Sequence, residues 1–340
     1  MTEIRTTDGT IALFNLHAQI ESLELRAARG LLTSRWRVEL VDRLTLRGQI
    51  LGRVADYERA AALAEQLASQ TPTDGLAFLG RARTRALLHR FEEALTDLDV
   101  AERLGWGSPE VAAERAAIFQ AVGRYDEAMA LRLAAVRRRA DFESLWALAS
   151  LHAERGEIAA AERLFSESRG KFRGVSPFGL AQLDFQQGHM WQEQGDLGRA
   201  RGWLTAASSR LPGYAHAEGH LAEVEAALGE REVAIERLTR LASVSDDPDY
   251  ATQLARVLGQ VGRLEEAVAW RARAEVRYGE LVARHPAAFA DHSAEFWLTV
   301  GGDPHRALGF ARQNFAVRQT PRAYALLSRA ILACGGGPAA

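Results

Sequence analysis

The sequence predicts an all-α solenoid of stacked helix–turn–helix units. The strings VADYERA, LHRFEEA, VGRYDEA, RGEIAAA, QGDLGRA, LGEREVA, VGRLEEA and GGDPHRA end on Ala60, Ala94, Ala128, Ala161, Ala200, Ala234, Ala267 and Ala307. Their spacings are 34, 34, 33, 39, 34, 33 and 40 residues, and a near-constant period of that length marks a repeat architecture. Within one unit, Phe185–Pro212, the residues Gly188, Trp191, Leu197, Ala200, Leu204 and Ala207 recur at helical spacing on both sides of Gly195-Asp196, and Pro212 stops the second helix. Small residues let the paired helices approach, and large ones fill the space between them.

Gly188, Trp191, Gly195, Leu197, Ala200, Leu204, Ala207 and Pro212 together resemble the signature of the tetratricopeptide repeat (TPR). The resemblance covers roughly residues 36–320. It implies a right-handed superhelical solenoid of about eight repeats, with the first helix of each unit lining a concave face.

Along the chain, residues 1–35 form an N-terminal arm and a capping helix. Ile11, Leu13, Phe14, Leu16 and Ile20 make Ile11–Ala28 amphipathic, with Gly30 near its end. Repeat 1 runs from about Trp36 to Pro72. Repeat 2 holds Phe78, Phe91 and Leu98. Repeat 3 opens at Pro109, a residue suited to a first helical position, and ends in the solvated run Arg137-Arg138-Arg139. Repeat 4 carries Leu145, Leu148, Ile158 and Phe165. The long link Gly170–Pro177 accounts for the spacing of 39. Repeats 5 and 6 join at Pro212. Repeat 7 begins near Asp247-Pro248, and its second helix runs on from Leu264 to about Arg284 before Pro286 breaks it, which accounts for the spacing of 40. Repeat 8 ends near Gln319. Residues 321–334 form a C-terminal capping helix, and 335–340 a flexible tail. Trp36, Trp106, Trp203, Trp270 and Trp297 are expected to pack between helices.

Composition narrows the function. The 42 basic and 44 acidic residues nearly balance, so the bulk basic field that nucleic acid or an anionic membrane would demand is absent. No apolar run approaches the ~20 residues that span a bilayer. With Cys334 as the sole cysteine, no intramolecular disulfide forms, and a reducing, cytoplasmic setting is the simplest reading, a trimmed secreted form being the alternative. Lys171 is the single lysine; this arginine bias reads as genome composition and fits a bacterial source. Gly-rich phosphate loops, Gly-x-Ser-x-Gly and paired cysteines are absent. In His216-Ala217-Glu218-Gly219-His220 the glutamate falls one residue too late for a metalloprotease helix.

The TPR resemblance assigns ligand contacts to fixed positions of each first helix. In repeats 1 to 3 those positions give Thr45, Gln49, Leu79, Arg83, Ala113 and Ala117, which does not match the set of basic and Asn residues with which chaperone-binding TPR proteins clamp a carboxylate. In the later repeats they give Trp146, Phe185, His189, His220, Glu223, Arg256 and Phe296, expected as contacts to a peptide or protein surface. The expected function is a non-catalytic interaction scaffold without cofactor, monomeric or a small homo-oligomer, with no nucleic-acid partner. A second reading uses His189, His216, His220, Glu223 and His292 as ligands for zinc or another transition metal, since His216 and His220 share a helix face and imidazole with carboxylate is an adequate donor set. Metal-dependent catalysis would follow from that reading.

Overall fold

The structure is a computed structural model describing residues 4–107 and 109–335; the N-terminal Met1–Glu3 and all of the expected tail beyond Gly335 lie outside the described residues. Among the described residues there are 18 helices and no strand. The first, α1 (Gly9–Ala28), is started by the Asp8 carboxylate, which accepts hydrogen bonds from the Thr10 and Ile11 amides. Successive helices then pack as antiparallel pairs: α2 (Ser34–Leu51) with α3 (Val54–Gln70), α4 (Gly75–Leu87) with α5 (Phe91–Arg103), α6 (Pro109–Val122) with α7 (Tyr125–Arg138), and α8 (Phe142–Glu154) with α9 (Ile158–Lys171). After the link come α10 (Phe178–Glu193) with α11 (Leu197–Arg210), α12 (Ala215–Ala227) with α13 (Arg231–Val244), α14 (Pro248–Gln260) with α15 (Leu264–Arg284), and α16 (Ala290–Leu298) with α17 (Pro304–Val317). The last helix, α18 (Pro321–Gly335), lies on α17 and α16.

The sequence pattern explains each pair. Gly52, Gly123, Gly156, Gly195, Gly229, Gly262 and Gly302 take left-handed backbone at the turns within pairs, the conformation that ends a helix with least steric cost in glycine. The exception is the turn between α4 and α5, where His89 adopts φ 55°. The marker alanines are fully buried except Ala267, which is half-buried. Close approach is visible at Gly188, where a Cβ would lie 2.7 Å from Leu204 Cγ.

The solenoid does not run open. It winds back so that the early pairs rest edge-on against the late ones. Leu16, Ile20, Leu44 and Ile50 share one core with Ala181, Ala207, Leu211, Tyr214 and Ala217. Asp246, ahead of α14, accepts hydrogen bonds from the Val54 amide at 2.5 Å and the Ala55 amide at 3.0 Å. It thereby supplies the N-terminal cap that Arg53 does not give α3. Ser245 donates to the Gly52 carbonyl, and Glu58 meets Arg284 at 3.1 Å and His285 at 3.0 Å. Further along the same seam His89 Nδ1 contacts the Ala287 carbonyl at 3.1 Å, and the Gln319 amide donates to Val122 O at 3.1 Å.

Both irregular spacings lie on this seam. The link 170–177 receives the N-terminal arm, whose Thr7 amide donates to Val175 O at 2.7 Å. The extension of α15 supplies Leu281, which packs on Val54 and Phe289. The insertions that interrupt the repeat are where the coil closes on itself. Two expectations about tryptophan need correction: Trp36 and Trp106 are 46% and 38% exposed, being near element ends and not between paired helices.

Candidate binding channel

Side chains of the first helices meet between neighbouring pairs: α2, α4 and α6 through Arg83, α10, α12 and α14 through Glu223, and α14 with α16 through His292. This row of contacts is the candidate wall of a binding channel. In the early pairs the wall is occupied by an ion cluster. Arg83 on α4 bridges Glu114 on α6, at 2.7 Å, and Asp42 on α2, at 3.2 Å. Burial pushes the Asp42 carboxyl upward against the pull of that guanidinium. Arg83 is therefore already neutralised and is not held ready for a ligand carboxylate.

The later pairs bring most of the expected residues together. Phe185 on α10 stacks on His189, with ring centroids 6.1 Å apart, and meets His216 and His220 of α12 at 5.9 and 5.4 Å. His189 and His220 meet edge-to-face at 4.9 Å. Burial holds all three imidazoles below their ordinary range, His216 at about 4, so they are neutral at neutral pH.

Beside this ring cluster a polar relay crosses three helices. Arg256 on α14 donates to Glu223 Oε1 at 3.1 Å, Gln192 Nε2 on α10 donates to Glu223 Oε2 at 3.0 Å, and Gln192 Oε1 lies 2.9 Å from His220 Nδ1. Gln192, Glu223 and Arg256 line a cleft of about 420 Å³ together with Arg231, Val257 and Gln260. Burial raises the Glu223 carboxyl, and Arg256 opposes that rise. Sequence reasoning found His220, Glu223 and Arg256 but missed Gln192, because a bridging amide carries no motif.

His292 belongs to a separate cluster. Its Nδ1 is 3.7 Å from Asp249 Oδ1 and its Nε2 4.0 Å from Asp291 Oδ1. Burial disfavours the imidazolium, but Asp291 and Asp249 together raise His292 to about 10. Asp249 itself is drawn down to about 2 by His292, against the effect of burial, and burial beside Asp249 lifts Asp247 to about 6. The His292 side chain remains 43% exposed, so water screens part of this attraction. Because the folded pKa lies above the unfolded value of about 6.5, this contribution to stability is complete below about pH 6.5 and is lost as pH rises through about 10. The expected result in an NMR titration is a His292 ring signal without a midpoint between pH 6 and 9 that gains one in Asp249→Asn.

Two of the sequence expectations end differently, those for Phe296 and for the metal set. Phe296 is fully buried against Tyr278 and Trp297, at 5.3 and 4.9 Å; it is core and not a partner contact, because α16 turns that face toward α15. Trp146 is half-buried against Phe142 at 5.8 Å, at the edge of the wall. The metal set His189, His216, His220, Glu223 and His292 shares the channel without forming a coordination shell. Among the described residues no three His, Cys, Asp or Glu side chains are arranged to hold an ion. The reason is competition: Gln192 engages His220 Nδ1, His216 lies on Phe185 and Tyr214, and carboxylates flank His292.

No protein-family model and no curated protein matches the sequence. Solved structures do. Human IFIT1 solved as a dimer with PPP-AAAA superposes with TM-score 0.56 at 16% identity, over 84% of this chain and 73% of that one. Human IFIT1 with m7Gppp-AAAA gives 0.57 at 14% identity, over 93% and 76%. The Cut9–Hcn1 hetero-tetramer of the APC/C gives 0.46 at 15% identity, over 93% of this chain and 55% of that chain. At such identities the likeness is one of fold alone, and the two IFIT1 structures carry it. With its consecutive helix pairs and left-handed turn residues, the chain has the architecture of a TPR-type helical repeat protein.

Proposed function

We propose that the protein is a non-catalytic scaffold that holds a peptide segment of a partner protein within its channel. The observation that carries this reading is the continuous wall from Phe185 through His189 and His220 to Glu223 and Arg256, which offers ring faces and directed polar atoms side by side. Aromatic anchors supply contact area and the polar groups set register, the division of labour found in peptide grooves. The two IFIT1 structures were solved with PPP-AAAA and with m7Gppp-AAAA, which makes RNA the competing class. In this chain Arg83, Arg256 and Arg318 are each paired with a carboxylate, while no ion pair engages Arg322 or Arg132 among the described residues, so the oligonucleotide belongs in the test as a competitor. A phosphate backbone would have to break those three pairs to use their guanidiniums.

The test is selection from a random peptide library on immobilised protein, with a PPP-AAAA oligonucleotide present as competitor. Peptides recovered by the wild type are expected to lose about a hundredfold in affinity for a His189/His220/Glu223→Ala triple variant, as for a cluster of hot-spot residues. Recovery of the same peptides at the same affinity by that variant would remove the channel as the binding site.

A further inference from the structure

A cavity of about 260 Å³ straddles the closure seam. One side is the end of α2, where Leu51 and Arg53 flank the Gly52 turn; the other is α13, with Arg240, Leu241 and Val244. Gly213, in the turn before α12, also lines it, and a Cβ there would lie 4.0 Å from Leu51 Cδ2. The seam is fastened within a few residues of the cavity. Ser245 donates to the Gly52 carbonyl, and Asp246, itself held by Arg277, caps α3 at the Val54 and Ala55 amides. The two sides meet only while the coil is closed, so the cavity exists only in that state.

The lining joins apolar surface to positive charge. Leu51, Leu241 and Val244 supply the apolar part, and Val244 is left 70% exposed. Of the charged groups, Arg237 is neutralised by Glu218 and Glu225. Arg240 pairs only with Glu236 of its own helix, in an exposed contact of little strength. Arg53 enters no ion pair among the described residues. Glu218, the one acid of the lining, is already bound to Arg237.

We propose that this cavity binds an aliphatic carboxylate of about eight carbons and that the bound molecule holds the coil shut. Its tail covers Leu51, Leu241 and Val244, and its head meets Arg53 and Arg240 at the rim. The volume is at the small end of ligand sites, which are mostly apolar with a few placed polar groups. A neutral head leaves Arg53 unmet, and an ammonium sets cation against cation. Because the ligand finds its site in the closed state alone, it stabilises closure in proportion to occupancy. The site shares no residue with the wall of Phe185, His189, His220, Glu223 and Arg256, so it stands apart from the peptide-scaffold reading.

The experiment titrates full-length protein with hexanoate, octanoate, octanamide and octylammonium in a calorimeter. Affinity is expected to rise about fourfold for each methylene from hexanoate to octanoate. Octanoate is expected to bind roughly threefold more tightly than octanamide, the worth of an exposed charge pair, and that margin is expected to vanish in the double variant Arg53→Gln with Arg240→Gln. Val244→Asp, at a solvent-exposed position that folding does not depend on, is expected to weaken octanoate at least tenfold. Amide exchange at Val54 and Ala55 is expected to slow about tenfold with octanoate at ten times its Kd. Failure of every compound to bind, octylammonium bound as tightly as octanoate, or octanoate bound equally by Val244→Asp overturns the proposal. So does a filled site that leaves the Val54 and Ala55 amides exchanging at the unliganded rate.

Discussion

Alanine at Gly123 is expected to part the two layers of the coil, and alanine at Gly229 is not. The two glycines share a backbone conformation, φ 90° and 89°, so both substitutions carry the left-handed penalty of about 1–3 kcal/mol. Their surroundings differ. A Cβ at Gly229 meets nothing within 4 Å, whereas a Cβ at Gly123 would lie 2.4 Å from the Gln319 carbonyl oxygen and 2.8 Å from its carbon. Those are backbone atoms, so the loop between α17 and α18 has to move. Its departure takes with it the Gln319–Val122 bond and the Arg318 bond to Ala121 O. Gly123→Ala is expected to lose about 2 kcal/mol beyond its control in urea unfolding, two net hydrogen bonds' worth. Amide exchange at Gln319 should accelerate, and the radius of gyration from X-ray scattering should grow. Equal losses in the two variants, with Gln319 still protected, would show that the seam contact contributes nothing.

Asp184→Ala is expected to destabilise the fold by about 3–5 kcal/mol, the scale of a buried pair stripped of one member. Asp184 is fully buried on α10, receives Arg169 from α9 on one oxygen and Arg210 from α11 on the other at 3.1 Å, and so joins three helices. Arg169 is itself buried, with its guanidinium 5.0 Å from the Trp203 ring centroid, and would be left without its counter-charge. The paired replacement Arg169→Met with Asp184→Leu should recover most of the loss, because apolar isosteres remove both desolvation costs together. Arg210 is 20% exposed and can turn to water. Urea midpoints for the three proteins decide the matter; a single variant no worse than the double one contradicts the account.

What the sequence could reveal depended on the range of the interactions. Each helix pair was readable because its determinants are local: a left-handed turn residue, then a small residue facing a large one within a span of some 30 residues, as with Gly188 and Leu204. Closure was not readable. Asp246 caps a helix 192 residues away, and Glu58 meets His285 across 227; such contacts leave no period in the sequence. The two long spacings were visible as interruptions, but nothing local distinguishes an idle insertion from one that receives a distant segment. Counting from marker alanines placed His189, His220, Glu223 and Arg256 on one wall. The same count failed at Phe296, which neighbouring Tyr278 and Trp297 cover completely although His292, one turn earlier on α16, meets Asp249. His89 was readable as a turn residue in LHRFEEA but not as one that takes a glycine's backbone there, nor as one whose burial lowers its pKa to about 4.

The trans cap at Asp246 and the contacts around it decide how anything could enter. For a segment held as proposed, the seam contacts would make entry end first the open route, since sideways entry needs those contacts to part. Long residence and slow exchange would then come from geometry even where each contact is weak. A segment tethered at both ends, such as a loop on a folded neighbour, would wait on the capping carboxylate to release the Val54 and Ala55 amides.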